Sequence, residues 1–377
     1  MDFEFNEDQR AIAEMAGSLM RDYCTDERLR EWDLSGEPYM QGLWAGCVET
    51  GLHALAIAES AGGSGLGMTE LMQVLDAQGG ALAQVPLWRH QLAAATLAEF
   101  GGAAAAPWVE RAAAGECLLT LGLDGLHNVR GIELLAHPQA DGWQLQGRVS
   151  ALPLAEQSAA ALVLAKVQGQ PRLVRVELDD PGISKTSGVM THGEAHADLQ
   201  FNGVRLDNRQ LLPEAALDWL APRTIAALAA LQLGVSAEQV RRTVAYVSER
   251  QQFDRSIGSF QAVQMTMADT HVQLEVLRST LWQLCYRLDA GLPSPSEALA
   301  TAFLACEAGH RIGHAAQHVH GGIGVDLTYP IHRFLYWSRA LSSALGGSSV
   351  ILERLGDWLS DNDSLGWKYD LEEHQAL

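Results

Sequence analysis

Cysteine is sparse and unpatterned in this sequence. Cys24, Cys47, Cys117, Cys285 and Cys306 are five in 377 residues, widely spread and without a C-x-x-C pair, which argues against a disulfide framework and a zinc knuckle. Positive charge is scarce too: Lys and Arg total 26 against 46 Asp and Glu, a formal charge of -20. Such a chain repels a phosphate backbone and shows no basic cluster to offset it, so no nucleic-acid partner is expected. Long apolar runs are missing as well. Arg, Asp, Glu or Gly interrupts each before the roughly 20 residues a bilayer span requires, so no membrane insertion is expected. The start, MDFEFNEDQR, is acidic and lacks the basic and then apolar parts of a secretory signal, which points to a cytoplasmic protein. What is present is 47% hydrophobic content, enough to bury one large core or two to three smaller layers without covalent staples.

Three textures follow one another, and they suggest domains at 1-115, 116-215 and 216-377. The first is helical: Asn6 with Gln9 three positions on forms a capping-box signature, and Ile12, Met15 and Leu19 recur on one helical face. The Gly-rich stretch 61-67 has no strand before it and no Lys after it, so a helix connection is a better reading than a phosphate loop. The second consists of short β-type runs, WQLQG (143-147), AALVLAKV (160-167), RLVRVEL (172-178) and DLQFNGVRL (198-206), with turn signals at Asp180-Pro181-Gly182 and Asn202-Gly203. No helices lie between them, so a small antiparallel barrel or sandwich is expected. The third returns to helical periodicity. One helix of about 25 residues carries Ile225, Leu228, Leu231 and Val235. A second spans Gln261 to Leu288. A third is capped by Ser294, with Pro295 first and Glu297 closing the box, and runs to about His318. The fold class is α+β: a helical domain, a β domain and an antiparallel four-helix bundle.

Glu307, His310, His314 and His318 fall at helical spacings on roughly one face. Two His at i and i+4 can ligate zinc, but HExxH and a second E-x-x-H are missing. A half-exposed polar stripe is the plainer reading, and no metal is expected.

The order of domains and several motifs resemble the acyl-CoA dehydrogenase superfamily. Arg250-Gln251-Gln252-Phe253-Asp254-Arg255-Ser256-Ile257-Gly258-Ser259-Phe260-Gln261 is similar to the family's R-x-x-F-G-x-x-I-x-x-F-Q. His318-Val319-His320-Gly321-Gly322-Ile323-Gly324, then Tyr329-Pro330, is similar to its Q-x-H-G-G-x-G and later Y-P. Family members use FAD and a Glu base to desaturate acyl-CoA thioesters, commonly with an electron-transfer flavoprotein as acceptor. Each flavin sits at a subunit interface, its ring held mostly by one chain and its pyrophosphate and AMP end by the neighbour.

The resemblance assigns the neighbour's share to this chain. Arg250 would hold a pyrophosphate, Phe253 and Phe260 would wall it, Gln261 and His318 would hydrogen-bond, and Gly321 and Gly322 would admit the dinucleotide to the backbone. The alternative is that Arg250 pairs with a surface carboxylate and the glycines merely end a helix. The ring share is altered. Only Thr120 survives of the family's T-E-P-x-A-G-S-D, here Thr120 to His127; Ala151 and Pro153 stand where the family has an aromatic and a hydroxyl residue. Both base positions lack a carboxylate: one aligns with Leu345, the other with about Thr224, and Asp218 is the nearest acid.

That asymmetry resembles the heterotetrameric acyl-CoA dehydrogenases of steroid and bile-acid side-chain breakdown, which join two unlike subunits. It implies a non-catalytic subunit sharing FAD with a second, catalytic acyl-CoA dehydrogenase subunit that takes a steroid-type acyl-CoA. Two rivals remain, a self-sufficient enzyme with a displaced base and a scaffold without flavin.

Overall fold

The structure is a computed structural model that describes residues 5-126 and 131-362; His127 and residues 1-4 of the acidic start lie outside that range. Helices α1 (Glu7–Tyr23), α2 (Asp26–Ser35), α3 (Gln41–Glu49), α4 (Met68–Ala81), α5 (Leu87–Phe100) and α6 (Ala106–Ala113) come first. The capping box at Asn6 forms, with Gln9 N–H donating to Asn6 Oδ1 at 2.8 Å and Asn6 N–H to Gln9 Oε1 at 3.0 Å. Of the expected face of α1, Ile12 and Leu19 are half-buried against the core and Met15 is exposed, while Ala16, Gly17 and Met20 are fully buried. The small residues admit the neighbouring helices more closely than Met15 would. Residues 61-67 connect a short 3-10 turn to α4, as the plainer reading had it.

Seven strands then form one sheet: β1 (Leu119–Gly122), β2 (Leu135–Gln139), β3 (Gly142–Pro153), β4 (Ala160–Val167), β5 (Gln170–Glu177), β6 (Ile183–Val189) and β7 (Ala195–Leu206). The order is β1-β4-β2-β3-β7-β6, with β5 along the other edge of β4. Most pairs are antiparallel, but β1 and β2 both run parallel to β4, which the sequence reading did not anticipate. Asn202-Gly203 is not a turn. It is a bulge within β7, where Gln146 pairs Asn202 while Leu145 pairs Val204, and Gly203 takes φ +75°. The sheet has its own core around Leu145, Val163, Val174 and Phe201.

The bundle follows: α7 (Ala215–Glu249), the hairpin β8 (Gln251–Gln252) and β9 (Arg255–Ser256), α8 (Gln261–Asp289), α9 (Pro295–His320), α10 (Ile331–Leu345) and α11 (Ser348–Asp361). Helix α7 has 35 residues and continues through Pro222, near its start. By length and composition α7 alone among the described residues could cross a bilayer, but 72% of its apolar window is buried inside the bundle. It packs so closely on α4 that a Cβ on Gly234 would stand 1.9 Å from the Asp76 carbonyl oxygen. The expected box at the start of α9 does not form. Ser294 makes no side-chain cap, and Glu297 instead meets Arg287 at 3.3 Å and accepts from Ser296 Oγ at 2.9 Å.

Candidate functional site

The first feature is an exposed patch where α7, α8 and α9 come together. Helix α7 ends at Arg250, whose extended backbone (φ -64°, ψ 121°) carries the chain out of the helix. Gln251 pairs with Ser256 and Gln252 with Arg255, leaving Phe253 and Asp254 as a two-residue turn. Both have positive φ, +55° and +60°, as a type I′ hairpin turn requires. Asp254 replaces the family's Gly because the position needs left-handed backbone, which Asp tolerates better than most residues. Phe253 is the strained member, and it is 85% exposed. Its ring stands edge-on to Phe260 with centroids 6.2 Å apart, and the Arg255 guanidinium lies 4.0 Å over Phe260. Arg250 is exposed and its guanidinium has no carboxylate partner among the described residues.

Gln261 opens α8 and His318 lies on the last turn of α9, both exposed. Gly321 and Gly322 follow, exposed, with no atom within 4 Å of a Cβ built on either. Tyr246, one turn before Arg250, stacks on His320 with centroids 4.2 Å apart and 19° between planes. The Arg250 and Gly321-Gly322 segments therefore stand at the same end of the bundle. An unpaired guanidinium fork beside open glycine backbone suits an oxygen-rich anion such as a pyrophosphate.

The second feature is a small cavity. It has about 140 Å³ and is lined by Leu121, Leu123, Ala151, Pro153, Thr224 and Leu345, together with side chains of α4, α5, α10 and α11. The residues that the resemblance sets against a flavin ring, and both positions it sets at the catalytic base, thus meet in one place. The volume is well below the roughly 300–1,000 Å³ of small-molecule sites, so a flavin ring with an acyl group does not fit. Thr224 and Leu345 cannot take a proton at neutral pH, and Asp218 is exposed on the first turn of α7, outside the cavity lining. The Thr120 hydroxyl donates to the Pro153 carbonyl at 2.8 Å, which commits it to holding β3. There β3 kinks: its register against β7 shifts between Val149 and Leu152, Ala151 takes φ +48°, and its N–H donates to Asp198 Oδ1 at 2.8 Å.

What borders the cavity is a charged cluster that no sequence motif announced. Arg89 on α5 forms an ion pair with Glu194, in the turn between β6 and β7, each side chain 12% exposed. His192 and His196 place Nε2 at 3.6 and 3.4 Å from Glu194 Oε2. Burial raises the Glu194 carboxyl, but Arg89 and the two imidazoles outweigh it and hold the group well below the usual carboxylate range. Burial also pushes His196 down, against the pull of Glu194. Trp337 of α10 closes the wall, edge-on to His192 with centroids 5.5 Å apart.

The α9 stripe gathers no metal site. His310 and His314 rings are 4.6 Å apart, but Arg339 donates to His314 Nε2 at 2.8 Å and Glu307 pairs with Arg311 at 3.1 Å. Among the described residues no three His, Cys, Asp or Glu side chains come together to hold a metal ion.

Comparison with known proteins places the chain in a family. Residues 6-116 match the model for the acyl-CoA dehydrogenase N-terminal domain, and residues 223-360 the model for the C-terminal domain. The acyl-CoA dehydrogenase FadE27 of Mycobacterium tuberculosis is 34% identical over 372 residues, covering 96% of this chain and 99% of its own. The chain belongs to the acyl-CoA dehydrogenase family. Among solved structures, the ChsE4-ChsE5 complex from Mycobacterium tuberculosis gives a TM-score of 0.91 at 33% identity, over 96% of this chain and 100% of the matched one. A Tcur3481-Tcur3483 steroid ACAD variant gives 0.89 at 36% identity, over 94% and 98%. Both are named for two polypeptides. As an acyl-CoA dehydrogenase family member, the chain is of the flavoprotein oxidoreductase type that acts on CH–CH bonds, and it carries the family's helical, sheet and bundle layers in order.

Proposed function

We propose that this chain is a non-catalytic subunit of a heteromeric FAD-dependent acyl-CoA dehydrogenase, lending the phosphate-holding half of a flavin site to a catalytic partner of the same family. The observation that carries this reading is a contrast within one molecule. The patch suited to a dinucleotide's phosphates is open and unpaired, while the positions that would face a flavin ring and its base surround a small cavity without a carboxylate at either base position. The similarity to the ChsE4-ChsE5 complex and to a steroid ACAD supports an unlike partner and a CoA thioester with a bulky, steroid-type acyl group. An electron-transfer flavoprotein is the proposed acceptor.

In this reading Arg250 would hold the pyrophosphate, and Gly321 and Gly322 would let backbone come close to the dinucleotide. Phe253 and Phe260 form an apolar wall, and Gln261 and His318 supply hydrogen bonds. FAD, when bound, supplies the hydride acceptor, and the partner supplies the base. The strain at Phe253 fits a residue held out for contact across an interface. Because FAD would bridge the two chains, it would also stabilise their assembly by mass action.

The test is co-expression with a catalytic family member encoded nearby, followed by native mass measurement and flavin quantification. Arg250→Ala should leave the two-chain complex assembled but lower its flavin content. Unchanged flavin content would remove Arg250 from the site.

A further inference from the structure

Beyond the β6–β7 turn from the small cavity lies a larger opening, a cleft of about 840 Å³. One of its walls is the segment 25-39, which brings Leu29, Arg30, Asp33, Leu34, Gly36 and Pro38 to the lining. That segment leaves the core and returns to it at one place. Cys24 and Met40, both buried, bring Sγ and Sδ to 3.7 Å, and the Met40 N–H donates to the Gln84 carbonyl at 2.8 Å. Between these two pins the chain runs out through α2 and turns back at Gly36, where φ is +71°. Compact surface loops of roughly 6–16 residues whose ends meet are a recurrent form, and such self-contained pieces can open while the rest of a fold stays intact.

The apolar hold on this segment is thin. Of the ten residues of α2 only Leu29 is buried, whereas α3, of similar length, buries Leu43, Trp44 and Cys47. Trp32 and Tyr39 are half-buried, and Leu34 is 84% exposed. Three polar contacts tie α2 to the bundle instead. Asp26 pairs with Arg242 of α7 at 2.9 Å, Asp33 pairs with Arg333 of α10 at 2.6 Å, and Arg30 donates to the Thr328 carbonyl at 2.6 Å. The Asp26 and Asp33 side chains are 48% and 42% exposed, so dissolved salt screens both pairs.

We propose that residues 25-39 are a lid, hinged where Cys24 meets Met40 and latched by Asp26, Arg30 and Asp33, which swings off the cleft as a unit while the rest of the chain stays folded. Opening removes one wall of the cleft and releases Thr328 and Arg333, which follow the Gly321-Gly322 backbone in the chain. Ionic strength sets how far the lid is open, because the Debye length falls from about 10 Å at 0.1 M to about 3 Å at 1 M. The lid does not depend on the subunit role proposed above.

Hydrogen–deuterium exchange of the full-length chain, read by mass spectrometry on peptides from α1, α2 and α3, is the test. Amides of α2 should exchange together and at least about tenfold faster than those of α1 and α3. Raising sodium chloride from about 0.1 M to about 1 M should widen that ratio. Asp33→Asn loses one latch and should speed α2 exchange about fivefold, the scale of one ion pair, while α1 and α3 stay as they were. Asp26→Asn should do the same at the other end of the helix. Exchange of α2 in step with its neighbours, a ratio indifferent to salt, or both variants exchanging like the parent chain would overturn the proposal.

Discussion

Tyr246 stacks on His320 with ring centroids 4.2 Å apart, and this contact joins the end of α7 to the end of α9. Arg250 follows Tyr246 by one turn and Gly321 follows His320 directly, so the stack sets the spacing of the two segments assigned to the flavin's phosphates. Tyr246→Phe keeps the ring and should leave both melting temperature and flavin content of the complex unchanged. Tyr246→Ala should cost about 2 kcal/mol, from the lost ring contact and the space left behind, and should lower flavin content. Thermal melts and flavin absorbance on the same preparations check this.

Phe253 separates stability from function. At φ +55° it occupies a region that costs a bulky residue about 1–2 kcal/mol. Phe253→Gly should therefore raise the melting temperature of the isolated chain, and yet reduce flavin retention in the two-chain complex because the apolar wall is gone. A variant that is more stable and equally rich in flavin would show that the ring has no part in the site.

The ion pair of Arg89 with Glu194 gives a third test. Arg89→Met leaves the buried Glu194 carboxylate only the His192 and His196 imidazoles and should destabilise the chain by about 3 kcal/mol. Arg89→Met combined with Glu194→Leu removes both charges and should recover most of that loss in urea titrations. The double variant should still not take up FAD on its own, since Pro153 and Leu345 remain.

Acid should unfold the protein through His90. Its ring is fully enclosed, Nδ1 accepts from the Leu119 N–H at 3.3 Å, and Nε2 faces the Ala112 carbonyl at 3.2 Å. Burial, with His53 beside it, pushes the imidazole from about 6.5 down to about 3. Between those values the unfolded chain binds more protons than the folded one. The stability this group contributes is therefore complete above about pH 6.5 and lost as pH falls towards 3. Urea midpoints measured across that window should fall with pH, and His90→Gln should flatten the slope.

Much of the fold could be read from local chemistry, where one residue type forces one conformation. Asn6 and Gln9 mark the start of α1, and AALVLAKV coincides with β4 at Ala160–Val167. Failures came where a local signal had a second solution. Asn202-Gly203 can turn a chain or bulge a strand, and only pairing with β3 decides between them. Ser294 can cap a helix, but Glu297 had Arg287 as a competing partner from another helix. The site divides in the same way. Leu345, Pro153 and Thr224 were visible singly as departures from a family pattern, but their meeting in one cavity is a tertiary fact. The sequence 191-196 displays two His around a Glu, but the Arg89 that neutralises it lies far back in the chain on α5.

The most direct measurement compares flavin content and substrate bleaching in two preparations, the purified chain alone and the same chain co-purified with a catalytic family member. A steroid-type acyl-CoA is added to each under anaerobic conditions. The account predicts little FAD and no bleaching for the single chain, and bound FAD that bleaches in the two-chain complex. Stoichiometric FAD in the single chain, bleached by a CoA thioester, would contradict it.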